Sequence, residues 1–331
     1  MKIVAIATWL LFLGATHLHA RAQFYEGKTI RIVVGLPAGD AYDLYARMLA
    51  AHMSKYIPGN PAFIVQNMPG ASSMITANHV YAIGKPDGLT FGSVLPSLYF
   101  DQLLGRKEVQ FDWPKFTWLG SFERSNNLLY MRSDTPCKTI HQVTKTSDPP
   151  KCGSTGTGSP SYYLVKLLND AIGTKFDIVT GYKGGQDIDL AVERGEIHCR
   201  AFTVTTFFAR EPFHTWRKTG FVRVLTQTGN QRDSRLSDVP TVRELMQEYK
   251  TPESIRGLAT LMLASGDFGR PIIATPGIPP ERVKILRDAF ARTLTDPELL
   301  AEAKKRRLEI DPISGEDLER SPKRWFRHPE T

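Results

Sequence analysis

The sequence predicts an α/β chain folded as two lobes, with a parallel-rich sheet in each. Three observations point there. The chain has 331 residues, more than one hydrophobic core ordinarily serves. Short β-branched runs alternate with segments of helical period, which is the rhythm of a parallel sheet covered by helices. That rhythm starts twice, first at Thr29 and again at Asn127.

Thr29 to Leu36 reads as a buried strand, followed by the turn Pro37 to Asp43. Leu44, Met48, Leu49 and Met53 recur at helical spacing, with Asp43 as the expected N-cap. Pro61 to Gln66 is the second strand, Asn67 to Ser73 a turn, and Met74 to Ala82 a helix. Leu89 to Leu95 is a third strand closing on Pro96-Ser97. In the second set, strands are expected at 127–132, 152–155, 176–181, 196–202 and 221–226. Helices fill the gaps around Tyr162 to Asn169 and Asp187 to Arg194. Pro279-Pro280 and Pro297 open two C-terminal helices that return to the first lobe. The expected division is 23–124 plus 231–331 for lobe 1 and 125–230 for lobe 2, with crossing segments acting as a hinge.

The N-terminus reads as an export leader. Lys2 supplies the positive start, Ile3 to Ala15 a short apolar run, and Ala20-Arg21-Ala22 a small-x-small cleavage site. Residues 1–22 are therefore expected to be removed, leaving Gln23 first. The apolar run is shorter than the ~20 residues a spanning helix needs.

Hydrophobic residues make up 41% and charged residues 23%, ordinary for a folded soluble protein. The net charge of +8 is spread along the chain. The basic run Lys304 to Arg307 lies among Glu298, Glu302 and Glu309, which reads as a solvated helix face and not a nucleic-acid surface. Cys137, Cys152 and Cys199 have no zinc spacing, and the histidines are scattered, so no metal site is expected. Cys152 and Cys199 sit in strands of the second lobe and are the best-placed disulfide pair, with three buried thiols as the alternative.

In parallel sheets, ligands bind beyond the carboxyl ends of the strands. Three Gly-containing turns lie at such ends: Gly39 to Asp43, Gly70 to Ser73, and Thr155 to Ser159. Glycine permits close backbone approach, and the following helix offers unpaired N–H groups and partial positive charge. A carboxylate docks there without needing an arginine. Catalytic and cofactor signatures are missing: there is no Gly-x-Ser-x-Gly, no Walker sequence, and no third glycine after Gly156-Thr157-Gly158. Asp40 and Asp43 read as helix-capping residues, and Lys183 as a ligand contact or a solvated loop residue.

Several stretches in order resemble one family. They are Pro37-Ala38-Gly39-Asp40-Ala41-Tyr42-Asp43, Asn67-Met68-Pro69-Gly70-Ala71, Pro86-Asp87-Gly88-Leu89-Thr90, Gly153 to Ser159, Gly181-Tyr182-Lys183-Gly184-Gly185, Asp238-Val239-Pro240-Thr241 and Pro276-Gly277-Ile278-Pro279. The chain resembles the Bug family, periplasmic receptors of tripartite tricarboxylate transporters. The resemblance implies a two-lobed Venus-flytrap binding protein without cofactor or catalysis. It would work in the periplasm, as a monomer, handing a small organic acid to integral-membrane permease subunits. It also implies a ligand site at Gly39, Asp40, Tyr42, Asp43, Ser72, Ser73, Ser97, Thr155, Gly156, Thr157, Gly158, Ser159, Lys183 and Thr203. Two departures stand out. Asp40 replaces a glycine and would repel an anion in the cleft, and Ser72-Ser73 replace two glycines. Tyr42 stands where a small hydroxyl residue is usual and points to a larger or aromatic ligand. A periplasmic sensor for a signalling kinase and a secreted enzyme are the competing readings.

Overall fold

The computed structural model describes residues 24–124 and 126–325, so the expected leader lies outside the described residues. The chain opens with β1 (Thr29–Val34), α1 (Ala41–His52), β2 (Ala62–Asn67), α2 (Met74–Ala82), β3 (Thr90–Ser93), α3 (Leu98–Leu103) and β4 (Thr117–Ser121). β1 is inside a sheet because Ile30, Ile32, Val33 and Val34 are wholly buried. The N-cap of α1 is Asp40, not Asp43. The Asp40 side chain accepts from the Tyr42 amide, and Asp43 falls in the first turn.

The chain then builds a second sheet from β5 (Asn127–Arg132), β6 (Lys151–Gly153), α4 (Pro160–Ile172), β7 (Asp177–Val179), α5 (Gly185–Arg194), β8 (Cys199–Thr203), α6 (Val204–Ala209), α7 (Phe213–Thr219) and β9 (Val222–Gln227). Helices α8 (Val242–Glu248) and α9 (Glu253–Leu263) and a short helical turn at Ser265–Phe268 follow before β10 (Pro271–Ala274) rejoins the first sheet. The chain closes with α10 (Pro280–Leu294), α11 (Pro297–Lys305), β11 (Ile313–Ser314) and α12 (Gly315–Trp325).

The first sheet has the order β11-β4-β10-β3-β1-β2 and the second β7-β6-β8-β5-β9. Both are mixed. β2-β1-β3 and β7-β6-β8 run parallel, while the strands next to the crossings, β10 with β4 and β5 with β8 and β9, are antiparallel. Helices cover both faces of each sheet. In the first, α1, α10 and α11 bury Met48, Leu49, Leu286, Phe290 and Leu299 on one face. Trp113, Trp118, Tyr99 and Phe268 pack on the other. In the second, Leu164, Leu168, Val242, Leu245 and Ala259 form one core, so α8 and α9 pack with this sheet. Tyr130, Ile188, Phe207, Phe213 and Trp216 form the opposite core.

Cys152 and Cys199 face each other across the β6–β8 pair and are disulfide-bonded, and Cys137 is a buried free thiol. No helix among the described residues is long and apolar enough to cross a membrane.

Candidate functional site

A cavity of about 390 Å³ lies between the lobes at the carboxyl ends of β1, β3, β6 and β8. The first lobe contributes Leu36, Asp40, Tyr42, Leu95 and Arg270. The second contributes Thr155, Ser159, Gln186, Arg200, Thr203 and Arg210, with Phe202 and Phe213 as apolar wall. Charged groups bordered by aromatic surface suit an acid with an apolar body.

The helix ends at the cavity differ. At α4 the Ser159 hydroxyl caps the Tyr162 amide at 3.2 Å and joins Ser154 (2.6 Å) and Ser161 (2.9 Å). At α5 the N-cap is Gly184, which has no side chain to satisfy the first-turn amides. Gly185 and Gln186 of that first turn line the cavity and bring backbone donors there, with Asp187 in the same turn offsetting part of the positive end. At α1 the end is already occupied by the Asp40 carboxylate.

Three arginines reach the cavity. Arg270 pairs with buried Glu123 at 2.6 Å, and its Nη2 donates to Thr203 (2.8 Å) and Thr206 (3.0 Å). Its guanidinium lies over the rings of Tyr42 and Tyr45, 4.8 and 5.1 Å from their centroids. Arg200 pairs with Asp189 at 2.6 Å, and the Tyr130 hydroxyl donates to the same carboxylate at 2.9 Å. Both charges are thus neutralised within the protein. Arg210 differs: its Nη2 donates to the Gly39 carbonyl at 2.8 Å, and among the described residues no carboxylate stands within ion-pair distance. Burial pulls its guanidinium below the ordinary value, Asp40 acts against that pull, and Arg200 and Arg270 reinforce it. The group stays charged.

A profile of the tripartite tricarboxylate transporter family receptor matches residues 45–320, most of the chain. The protein belongs to this receptor family. A UPF0065 protein of Cupriavidus necator is 27% identical over 299 residues, spanning 89% of this chain and 83% of its own. An Agrobacterium vitis UPF0065 protein is 31% identical over 242 residues, 68% of this chain and 64% of its own. Among solved structures, the periplasmic binding protein BugD superposes with a TM-score of 0.70 at 21% identity, covering 91% of this chain and 94% of its own. MatC of Rhodopseudomonas palustris with bound malate gives 0.68 at 20% identity, covering 90% and 97%. A second R. palustris protein, with adipate, gives 0.68 at 22%, covering 91% and 95%. These three share the receptor's fold.

Of the residues singled out from the sequence, Asp40, Tyr42, Thr155, Ser159 and Thr203 line the receptor's cavity. Others hold the lobes together beside it. The Gly39 carbonyl accepts from Gln186 (3.2 Å) as well as Arg210. Ser72 and Thr155 hydroxyls stand 3.4 Å apart, Ser97 donates to the Gly158 carbonyl at 2.8 Å, and Arg106 donates to Thr157 at 2.7 Å. A Cβ on Gly156 would come within 3.0 Å of the Ser72 hydroxyl, and one on Gly158 within 2.6 Å of Asp101 Oδ2. These glycines face the opposite lobe closely.

Two acts of local bracing account for others. Asp43 is buried, accepting from Gly39 N (2.8 Å), Arg47 Nε (2.9 Å) and Asn67 Nδ2 (2.9 Å). Burial pushes its carboxyl up, but these hydrogen bonds outweigh it and hold it below the usual range. The Ser73 hydroxyl donates to the Gly35 carbonyl at 3.3 Å. Lys183 is exposed and does not line the cavity.

Sequence reading passed over Arg200, Arg210 and Arg270. Arg200 left a signal, a charge inside a run otherwise read as a buried strand. Arg210 and Arg270 lie in loops distant from every Gly-rich turn and left none.

Proposed function

We propose that this protein is an exported receptor that captures a small organic acid in the interlobe cavity and delivers it to permease subunits of a tripartite tricarboxylate-type transporter. The observation that carries the reading is the cavity itself. Two lobes meet around it, and Arg210 and the end of α5, which has no side-chain cap, bring donors to its wall. Binding at such a seam stabilises the closed arrangement, as a receptor that reports occupancy by its shape requires. The malate and adipate held by structures of the same fold support a carboxylate as the ligand.

Within this reading the protein acts by binding and not by catalysis, as a monomer in the periplasm, with the leader removed after Ala22. The ligand set joins Asp40, Tyr42, Thr155, Ser159 and Thr203 to Arg210 and Gln186, with the remaining loop residues closing the seam. The packing of Val242, Leu245 and Ala259 with the second sheet supports carrying the second lobe past residue 230 to include α8 and α9.

Mass spectrometry of small molecules released from the natively purified protein, followed by calorimetry with what is found, tests the function. An organic acid bound one to one is the expected result. A ligand that is not an acid, or no binding across a broad panel of acids, would overturn it.

A further inference from the structure

The first-lobe loop carries an anion of its own. Asp40 lines the cavity and caps α1, so the amide end that would otherwise attract a ligand carboxylate is filled by a protein carboxylate. Directly beside it, the Gly39 carbonyl receives hydrogen bonds from two second-lobe groups, Arg210 at 2.8 Å and Gln186 at 3.2 Å. That shared acceptor places the Arg210 guanidinium, the first turn of α5 and Asp40 at one corner of the cavity. Arg270 and Arg200 are already neutralised by Glu123 and Asp189. Arg210, with no carboxylate at ion-pair distance among the described residues, thus lies within the field of Asp40, and Glu193 and Glu211 add further carboxylates to the lining. The rest of the lining near them includes Leu36, Tyr42, Leu95, Phe202 and Phe213, which offer apolar surface and no second cation without a partner.

We propose that Arg210 and the open end of α5 hold a single ligand carboxylate from the second lobe, and that Asp40 excludes a second one, so the receptor selects monocarboxylates with an apolar or aromatic body over dicarboxylates. This rests on the proposed function and names the ligand class of that site. Like charges brought together in a partly buried cavity repel more than they do in bulk water, and a charge-assisted hydrogen bond to Arg210 is stronger there. Leu36, Tyr42, Leu95, Phe202 and Phe213 give that body an apolar wall to lie against.

Calorimetry at pH 7.5 on the mature protein, freed of endogenous ligand, tests the selection. The probes are monocarboxylates and dicarboxylates of three to nine carbons, with 3-phenylpropanoate and adipate as the reference pair. The expected result is 3-phenylpropanoate bound about tenfold or more tightly than adipate, the size of one charge-assisted contact. Asp40→Asn keeps a capping side chain and removes the charge, and should narrow that ratio by about tenfold by admitting adipate. Arg210→Gln should weaken 3-phenylpropanoate about tenfold or more, with Arg210→Lys recovering part of the loss. A dicarboxylate bound best by the unaltered protein overturns the proposal and leaves the acid-receptor reading standing. So does an unchanged ratio in Asp40→Asn, or undiminished binding of 3-phenylpropanoate in Arg210→Gln, which would make Arg210 only a latch between lobes. No binding of any acid would overturn the acid-receptor reading as well.

Discussion

Glu123 and Arg270 pair at 2.6 Å with their side chains only 1% and 3% exposed, on the two segments that cross between the sheets. Glu123 also accepts from the Thr205 and Tyr45 hydroxyls, and Arg270 from its other side donates to Thr203 and Thr206. One ion pair thus ties both crossings to the second lobe and to the cavity wall.

Removing one partner leaves a buried charge uncompensated, at a cost of roughly 3–5 kcal/mol. Glu123→Gln is expected to lose stability on that scale in urea denaturation. The double variant Glu123→Gln/Arg270→Met should recover part of it, because neither charge then remains buried alone. A loss below ~1 kcal/mol in the single variant would show that water reaches the pair.

The Cys152–Cys199 bond closes a loop across 47 residues of sequence separation. Loop-closure entropy puts its contribution at roughly 4 kcal/mol, with 2–4 typical. Thiol titration of the unfolded, unreduced protein should find one reactive group, Cys137. Cys152→Ala/Cys199→Ala should lower the denaturation midpoint accordingly. Three titratable thiols would rule the bond out.

Asp296 caps α11, accepting from Glu298 N (2.7 Å) and Leu299 N (3.3 Å), and it pairs with Lys55 at 2.6 Å. Hydrogen bonds from Lys55 and Tyr56 hold its carboxyl well below the usual range. A carboxyl depressed in the folded state stabilises fully above its unfolded value, about 3.9, and the gain is lost as pH falls through the folded value. Asp296→Ala is therefore expected to cost about 1 kcal/mol at pH 7, and to flatten the fall in stability below pH 4. Denaturation at pH 7, 4 and 3 measures both. A variant whose acid limb stays as steep as the parent's would remove Asp296 from the account.

Gly158→Val places a Cβ within 2.6 Å of Asp101 Oδ2, a carboxylate already held by Tyr163 (2.5 Å) and Arg106 (2.8 Å). The crowding falls on the seam between lobes and not inside either core. Affinity for the bound acid should drop more than about tenfold while circular dichroism is unchanged. Ser159→Ala should act differently, costing about 1 kcal/mol of stability because its hydroxyl caps α4. Full affinity in Gly158→Val would mean that the seam does not govern binding.

Local pattern carried far along this chain. β5 and α2 fall at the residues expected from the sequence, 127–132 and 74–82, because turn residues bound each segment on both sides. The Gly-containing turns mark the strand ends where the lobes meet. β4, β10 and the helices α8 and α9 left little trace. β10 is four wholly buried residues after Arg270, too short for a period to show, and it exists because β3 and β4 flank it. Asp40 and Asp43 were exchanged as caps because both are good capping residues three positions apart, and only the backbone decides which stands at the helix boundary.

By itself, then, the sequence determined the α/β class, the two sets of strands, the anion-friendly turns and the family, all of which depend on residues near one another in the chain. Which charges face the cavity was decided by the tertiary structure alone. Arg270 is neutralised by Glu123, 147 residues away, whereas Arg210 is held by the Gly39 carbonyl, 171 residues away, which brings no charge. Electrostatic pairing acts through space, over a few ångströms, and the spacing of residues along a chain carries no record of it.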